Sequence, residues 1–305
     1  MSARFFRRGS WWLVASATWV CAGCDVPLKT ESLIQETRVL GARVEVAADP
    51  GRASPAPGES AHLRVFVAAP DGLPNVSYAF SLCGVTPSNA GFPNCVTAPF
   101  ATAFQPNPAI GDPQFDFQIP SELDPNATPH GFLSGIVCPN DSAVQNADDS
   151  ASCASTTGDT LAFEFDLAGP GEDNQNPTFA GDSLTLDGGS WDANDATASC
   201  DSLTQVNVKS THRLGVTLVD SDFDSLQQVT SEDPMRETIL LSQFSTAGDL
   251  DHTFVTLTPS AAGSETNWLA PSEADADGTI VHFYFVVRDS RGGEDLAERA
   301  LCLTH

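Results

Sequence analysis

The densest chemistry in this chain is that of carboxylates. Asp220-Ser221-Asp222-Phe223-Asp224 and Glu273-Ala274-Asp275-Ala276-Asp277-Gly278 carry the alternating acids of a calcium loop. Hard cations take several oxygens at once, and alternate positions on a tight turn can converge on one ion. The second stretch has glycine at its sixth place. Neither has the acid at position 12 that closes an EF-hand loop, where Ser231 and Tyr284 stand instead. Calcium also sits between the loops of β-sandwich modules with other spacings. Asp220, Asp222, Asp224, Asp275 and Asp277 are therefore the candidate metal ligands, and Ca2+ is the one cofactor the sequence suggests. The competing reading is two solvated acidic turns.

Other reactive side chains are scattered. His62, His130, His212, His252, His282 and His305 show neither H-E-x-x-H nor any ligand spacing. His62, His212 and His282 fall inside strand patterns, which gives them structural roles. Gly-x-Ser-x-Gly, G-x-G-x-x-G and the P-loop are all missing. A Ser/His/Asp site could be built only from distant residues, and nothing marks a nucleophile.

The N-terminus carries the clearest signal. Arg4, Arg7 and Arg8 precede an apolar run from Trp11 to Ala22, too short for a bilayer span of about 20 residues but the right length for the core of a signal peptide. Ala22 and Gly23 then lead into Cys24. This ending resembles the lipobox of bacterial lipoproteins, with Cys21 where leucine is usual. The resemblance implies cleavage before Cys24 and a lipid on its sulfur. An ordinary secretory signal cut near Ala22 or Gly23, or an uncleaved anchor, are the competing readings.

Arg4, Arg7 and Arg8 are the only charges before Cys24, so residues 24–305 hold 11 basic against 40 acidic groups. A chain this acidic repels nucleic acid and anionic lipid, and both drop out as electrostatic partners. The acids are spread along the chain, which fits solubility outside the cell. Beyond Cys21 and Cys24 six cysteines remain, an even number that reads as disulfides in an exported chain. Six cysteines allow about 15 connectivities. Proximity favours Cys83–Cys95 and Cys138–Cys153, leaving Cys200–Cys302.

Period-two alternation supplies the elements. Strands are expected at 39–47, 62–67, 76–82, 115–119, 132–138, 161–167, 184–186, 212–219, 239–244, 254–257, 280–287 and 296–303. Leu63, Val65 and Val67 should face one way, with His62, Arg64 and Phe66 facing the other. Long polar loops are expected at 84–113 and 139–160. Such loops on a rigid scaffold are where recognition is carried. Pro234 near the start of 232–241 suggests one short helix. Gly169-Pro170-Gly171-Glu172-Asp173-Asn174 reads as a solvated linker. The resulting plan is a signal peptide at 1–23, a lipidated tether at 24–37, a first β-sandwich at 38–168, a linker at 169–176 and a second β-sandwich at 177–305.

The second half resembles PKD-type and related immunoglobulin-like modules. The resemblance rests on Thr211-His212-Arg213-Leu214-Gly215-Val216-Thr217-Leu218-Val219-Asp220, on Trp268-Leu269-Ala270-Pro271, and on Phe285-Val286-Val287-Arg288-Asp289-Ser290-Arg291-Gly292-Gly293. The first half resembles such modules more loosely, through Pro57-Gly58-Glu59-Ser60 and Asp71-Gly72. The resemblance implies an all-β fold of two immunoglobulin-like sandwiches in tandem. It also implies a non-catalytic surface or periplasmic module that binds, spaces or adheres, held to the outer membrane or cell surface by the lipid on Cys24. Its partner would be a protein or a carbohydrate. The alternative is a cell-surface hydrolase or carbohydrate-active enzyme whose carboxylates the sequence does not pair.

Overall fold

The computed structural model describes residues 32–305 apart from 73, 87–92, 147–149, 170–172, 194–197 and 227–234. The signal peptide, Cys24 and most of the tether lie outside the described residues. The fold is all-β. Nine strands come first: β1 Arg38–Val46, β2 Ser60–Ala68, β3 Asn75–Val85, β4 Ala101–Ile110, β5 Gln114–Gln118, β6 His130–Pro139, β7 Ala143–Gln145, β8 Ala151–Cys153 and β9 Asp159–Asp166. Twelve follow: β10 Leu184–Leu186, β11 Gly189–Ser190, β12 Gln205–Asn207, β13 Thr211–Thr217, β14 Ser225–Leu226, β15 Met235–Arg236, β16 Ile239–Ser245, β17 Asp249–Leu250, β18 Phe254–Leu257, β19 Gly263–Leu269, β20 Thr279–Arg288 and β21 Glu294–Thr304.

In the first half, sheet β1-β2-β5 faces sheet β4-β3-β6-β9. Alternate residues on both sheets point inward, as the pleat requires. Leu63, Val65 and Val67 meet Tyr78, Phe80, Leu82, Phe163 and Phe165 in one core. Its aromatic rings pack in contact, with Tyr78 and Phe80 5.0 Å apart and Phe117 and Phe165 6.1 Å apart. In the second half, sheet β11-β10-β13-β19-β17 faces sheet β12-β21-β20-β16-β18. Strand pairs are antiparallel throughout both halves except β12 with β21, which run parallel. Trp268 is fully buried there, edge-on to Phe283 at 5.0 Å, and its Nε1–H donates to the Ala247 carbonyl at 2.9 Å. A buried indole needs such a partner, since an unmet donor carries the full desolvation cost.

The two halves are joined by a third cluster. Phe66, on the face of β2 opposite to Leu63, Val65 and Val67, is 1% exposed. It packs with Ile34, Leu40 and Ala68 against Phe244, Tyr284 and Val286 of the second half. Polar groups surround this strip and bond backbone on both sides. Glu294 accepts the Ala42 N–H at 2.9 Å and Arg288 Nε–H at 2.6 Å. Arg288 also donates to the Leu40 carbonyl, and Tyr284 Oη donates to the Ala69 carbonyl at 2.9 Å. Gly41 is required here, because a Cβ would collide with Glu294 Oε2. Burial pushes the Glu294 carboxyl up to about 7, against the pull of Arg288.

Several expectations are corrected by this geometry. The 84–113 segment contains a ten-residue strand, β4, paired along β3. The 139–160 segment contains the β7–β8 hairpin. The described part of 232–241 is extended, in β15 and β16, with 232–234 outside the described residues. The segment read as a solvated linker is buried at its C-terminal end: Asn174 is 1% and Asn176 5% exposed. Asn176 Nδ2 donates to the Val44 carbonyl at 2.7 Å and its Oδ1 accepts the Glu294 N–H at 3.1 Å. Polar side chains that satisfy buried backbone look like solvated ones in a sequence.

Candidate functional site

The two long segments meet at one place. Strands β3, β4 and β6 present Ala79, Ser81, Thr102, Phe104 and Ser134 on the face turned away from the core, and the β7–β8 hairpin rises beside them. Between them lies a groove of about 550 Å³, bounded by Pro99 on one side and by Gln145, Ser150 and Ala151 on the other. That volume is in the range of sites for small ligands, about 300–1,000 Å³. Phe104 is 47% exposed on its wall. Among the described residues the lining is made of small, hydroxyl, amide and aromatic groups, with no charged side chain.

Both rims are held by covalent and polar ties. Cys83–Cys95 closes the first loop, with Cα atoms 5.6 Å apart, and Val96 N–H and Phe100 N–H return to the Gly84 and Leu82 carbonyls at 2.9 Å each. Cys138–Cys153 closes the second at 5.5 Å. Asp141 gathers the N–H groups of Ser155 at 2.7 Å, Thr156 at 2.8 Å and Ser142 at 2.8 Å, which hold its carboxyl well below the usual carboxylate range. The third pair is Cys200–Cys302, Cα atoms 5.1 Å apart, so the three disulfides match the pairing that proximity favours. Strand β4 is the sheet edge beside the groove, and it carries Pro106 and Pro108, which offer no N–H to an added strand.

The candidate calcium ligands do not converge. Asp220 pairs with Arg236 at 2.5 Å. Asp222 accepts the N–H groups of Val219 at 2.8 Å and Thr178 at 3.2 Å. Asp224 pairs with Arg291 at 2.9 Å and accepts the Gln175 N–H at 2.9 Å. Asp275 accepts the Thr279 hydroxyl at 3.3 Å, and with Asp277 it lines a depression beside Cys200–Cys302. Among the described residues no group of three or more His, Cys, Asp or Glu side chains is placed to hold a metal ion. Glu237, 2% exposed, lies against Arg291 at 3.2 Å, and burial pushes its carboxyl up to about 7.

Five histidines pair with acids, which sequence spacing did not show. His62 lies 2.9 Å from Asp116, His130 2.8 Å from Asp166, His212 2.8 Å from Asp187, His252 2.9 Å from Asp251 and His282 2.9 Å from Glu298. His62 and Asp116 are opposite each other in register, as are His130 and Asp166, so strand pairing was the signal that would have found them. Comparison with protein-family models and with curated proteins gave no match.

Proposed function

We propose that this protein is an exported binding or structural module, two immunoglobulin-like sandwiches in tandem, tethered to a bacterial membrane by lipid on Cys24. Three disulfides support life outside the cytoplasm. Among the described residues no helix is long and apolar enough to cross a membrane. The sheet orders support the immunoglobulin-like reading: three strands against four in the first half, and a parallel β12–β21 edge in the second.

The observation that carries the binding reading is the groove, lined among the described residues by uncharged side chains and framed by two disulfide-closed rims. The ligand surface it suits is itself uncharged, on a protein or a carbohydrate. Phe104→Ala combined with Gln145→Ala should abolish capture of envelope components by the immobilised protein and leave the melting temperature unchanged. Identical captures with and without the substitutions would remove the groove as the site. Anchoring is tested separately: Cys24→Ser should stop incorporation of radioactive fatty acid, and continued labelling would overturn the tether.

A further inference from the structure

A second arrangement, independent of the groove, lies at one end of the second half. Asp187 and Gly188 form the turn between β10 and β11, with φ of 52° and 83°. That is the geometry of a tight hairpin turn, in which an Asp-Gly pair is favoured. The turn is clipped to β13: Asp187 N–H donates to the Arg213 carbonyl at 2.8 Å, and Arg213 N–H donates to Asp187 Oδ1 at 2.9 Å. The other carboxylate oxygen, Oδ2, lies 2.8 Å from His212 Nδ1. His212 Nε2 lies 2.7 Å from Ser210 Oγ. The imidazole packs near the Trp268 ring, 6.1 Å between centroids. Ser210 itself is fixed by a turn with Lys209 at φ 60° and by the Ala270 N–H, which donates to its carbonyl at 2.9 Å.

We propose that Ser210, His212 and Asp187 form an acyl-transfer site, with Ser210 as nucleophile, His212 as general base and Asp187 as the group that orients the imidazole. A nucleophile within hydrogen-bond reach of a base, and a base held by a third group, is the arrangement such chemistry needs. The protons follow from the contacts. An ionised Asp187 only accepts, so the ring puts N–H on Nδ1, and a neutral ring then offers Nε2 as acceptor. The Ser210 hydroxyl is the donor in reach. Its alternative acceptor is the Asn207 carbonyl, 2.5 Å away. The hydroxyl attacks from the arrangement in which it donates to Nε2, not from the one in which it donates to Asn207.

In the reaction Ser210 Oγ bonds to the carbonyl carbon of an ester while its proton passes to His212 Nε2. The ester C–O bond breaks and that proton leaves with the alcohol. Water then attacks the acyl-serine, giving its proton to His212, and releases the carboxylic acid and free Ser210. The Ser210 N–H donates to the Asn207 carbonyl at 3.4 Å, a long bond that an oxyanion would have to replace. Ser210 and His212 are partly exposed and Asp187 is exposed, so the substrate class is an unhindered ester. The acidic surface disfavours an anionic one.

The test is covalent labelling of the folded, disulfide-bonded protein with a fluorophosphonate probe, read by intact mass and peptide mapping, beside hydrolysis of p-nitrophenyl acetate. A single adduct on Ser210 is expected. Ser210→Ala should remove it, and His212→Gln should slow it on the order of 100-fold. Asp187→Asn should slow it less and displace the pH profile, which a purely structural role for the turn would leave in place. Melting temperatures show whether each variant is folded. No adduct at saturating probe, an adduct that survives Ser210→Ala, or an unchanged rate in folded His212→Gln would each overturn the proposal.

Discussion

The two halves are cross-linked in opposite ways. In the first, Cys83–Cys95 and Cys138–Cys153 close separations of 12 and 15 residues and tie loops to strands that packing already fixes. In the second, Cys200–Cys302 spans 102 residues and fastens the last strand, β21, to the segment before β12. The lesson is one of division. Short bridges shape a rim around a groove, whereas the long bridge secures the scaffold.

The largest expected effect breaks the long bridge. Cys200→Ala with Cys302→Ala should destabilise by about 4.7 kcal/mol on the chain-entropy account, read from urea unfolding, with groove capture intact in the folded fraction. The next concerns the tie between the halves. Glu294→Ala leaves Arg288 without its buried partner and should cost about 3–5 kcal/mol. If unfolding of that variant splits into two transitions, the halves are separately cooperative. Removing either short bridge should cost about 3 kcal/mol, and capture should fall more than stability does. Equal losses of capture from the long and short bridges would erase the contrast.

A smaller effect is read with pH. Burial raises the carboxyls of Glu294 and Glu237 from 4.5 to about 7. Each holds its proton more tightly folded than unfolded, so its contribution is complete below pH 4.5 and is lost as pH rises through 7. Melting temperature should therefore decline across that window on account of these two groups. Glu294→Gln and Glu237→Gln should each flatten the decline, and an unchanged slope would show that these carboxyls do not set it. The smallest effect is that of Phe104→Ala, which should shift stability by no more than about 0.5 kcal/mol because the ring is half exposed.

Where burial followed the pleat, the sequence was readable. Leu63, Val65 and Val67, or Leu161, Phe163 and Phe165, alternate cleanly and lie in the core. Strand β4 was hidden because it is an edge with exposed residues on both faces and two prolines. Strand β19 was hidden because its buried face mixes Thr266 with Trp268, the threonine being satisfied by Gln243 at 2.8 Å. The junction was hidden because Asn176, Arg288 and Glu294 carry the signature of surface residues while bonding buried backbone. The long loops were visible by length, and so were the segments that frame the groove. The Ser210–His212 pair is two residues apart, but Asp187 joins it only through the register of β10 with β13.

The strip that joins the halves also sets an order of events. Ala69 accepts a hydrogen bond from Tyr284, made 215 residues later. Leu40 and Phe66 wait longer still for Val286. A chain emerging N-terminus first can close the first core early, yet it must carry this apolar strip bare until β20 and β21 appear. A nascent chain halted after Asp166 would be a folded half-product with a sticky flank, the kind of species on which chaperones act. Completion of the last two strands is what makes the first half fit for release.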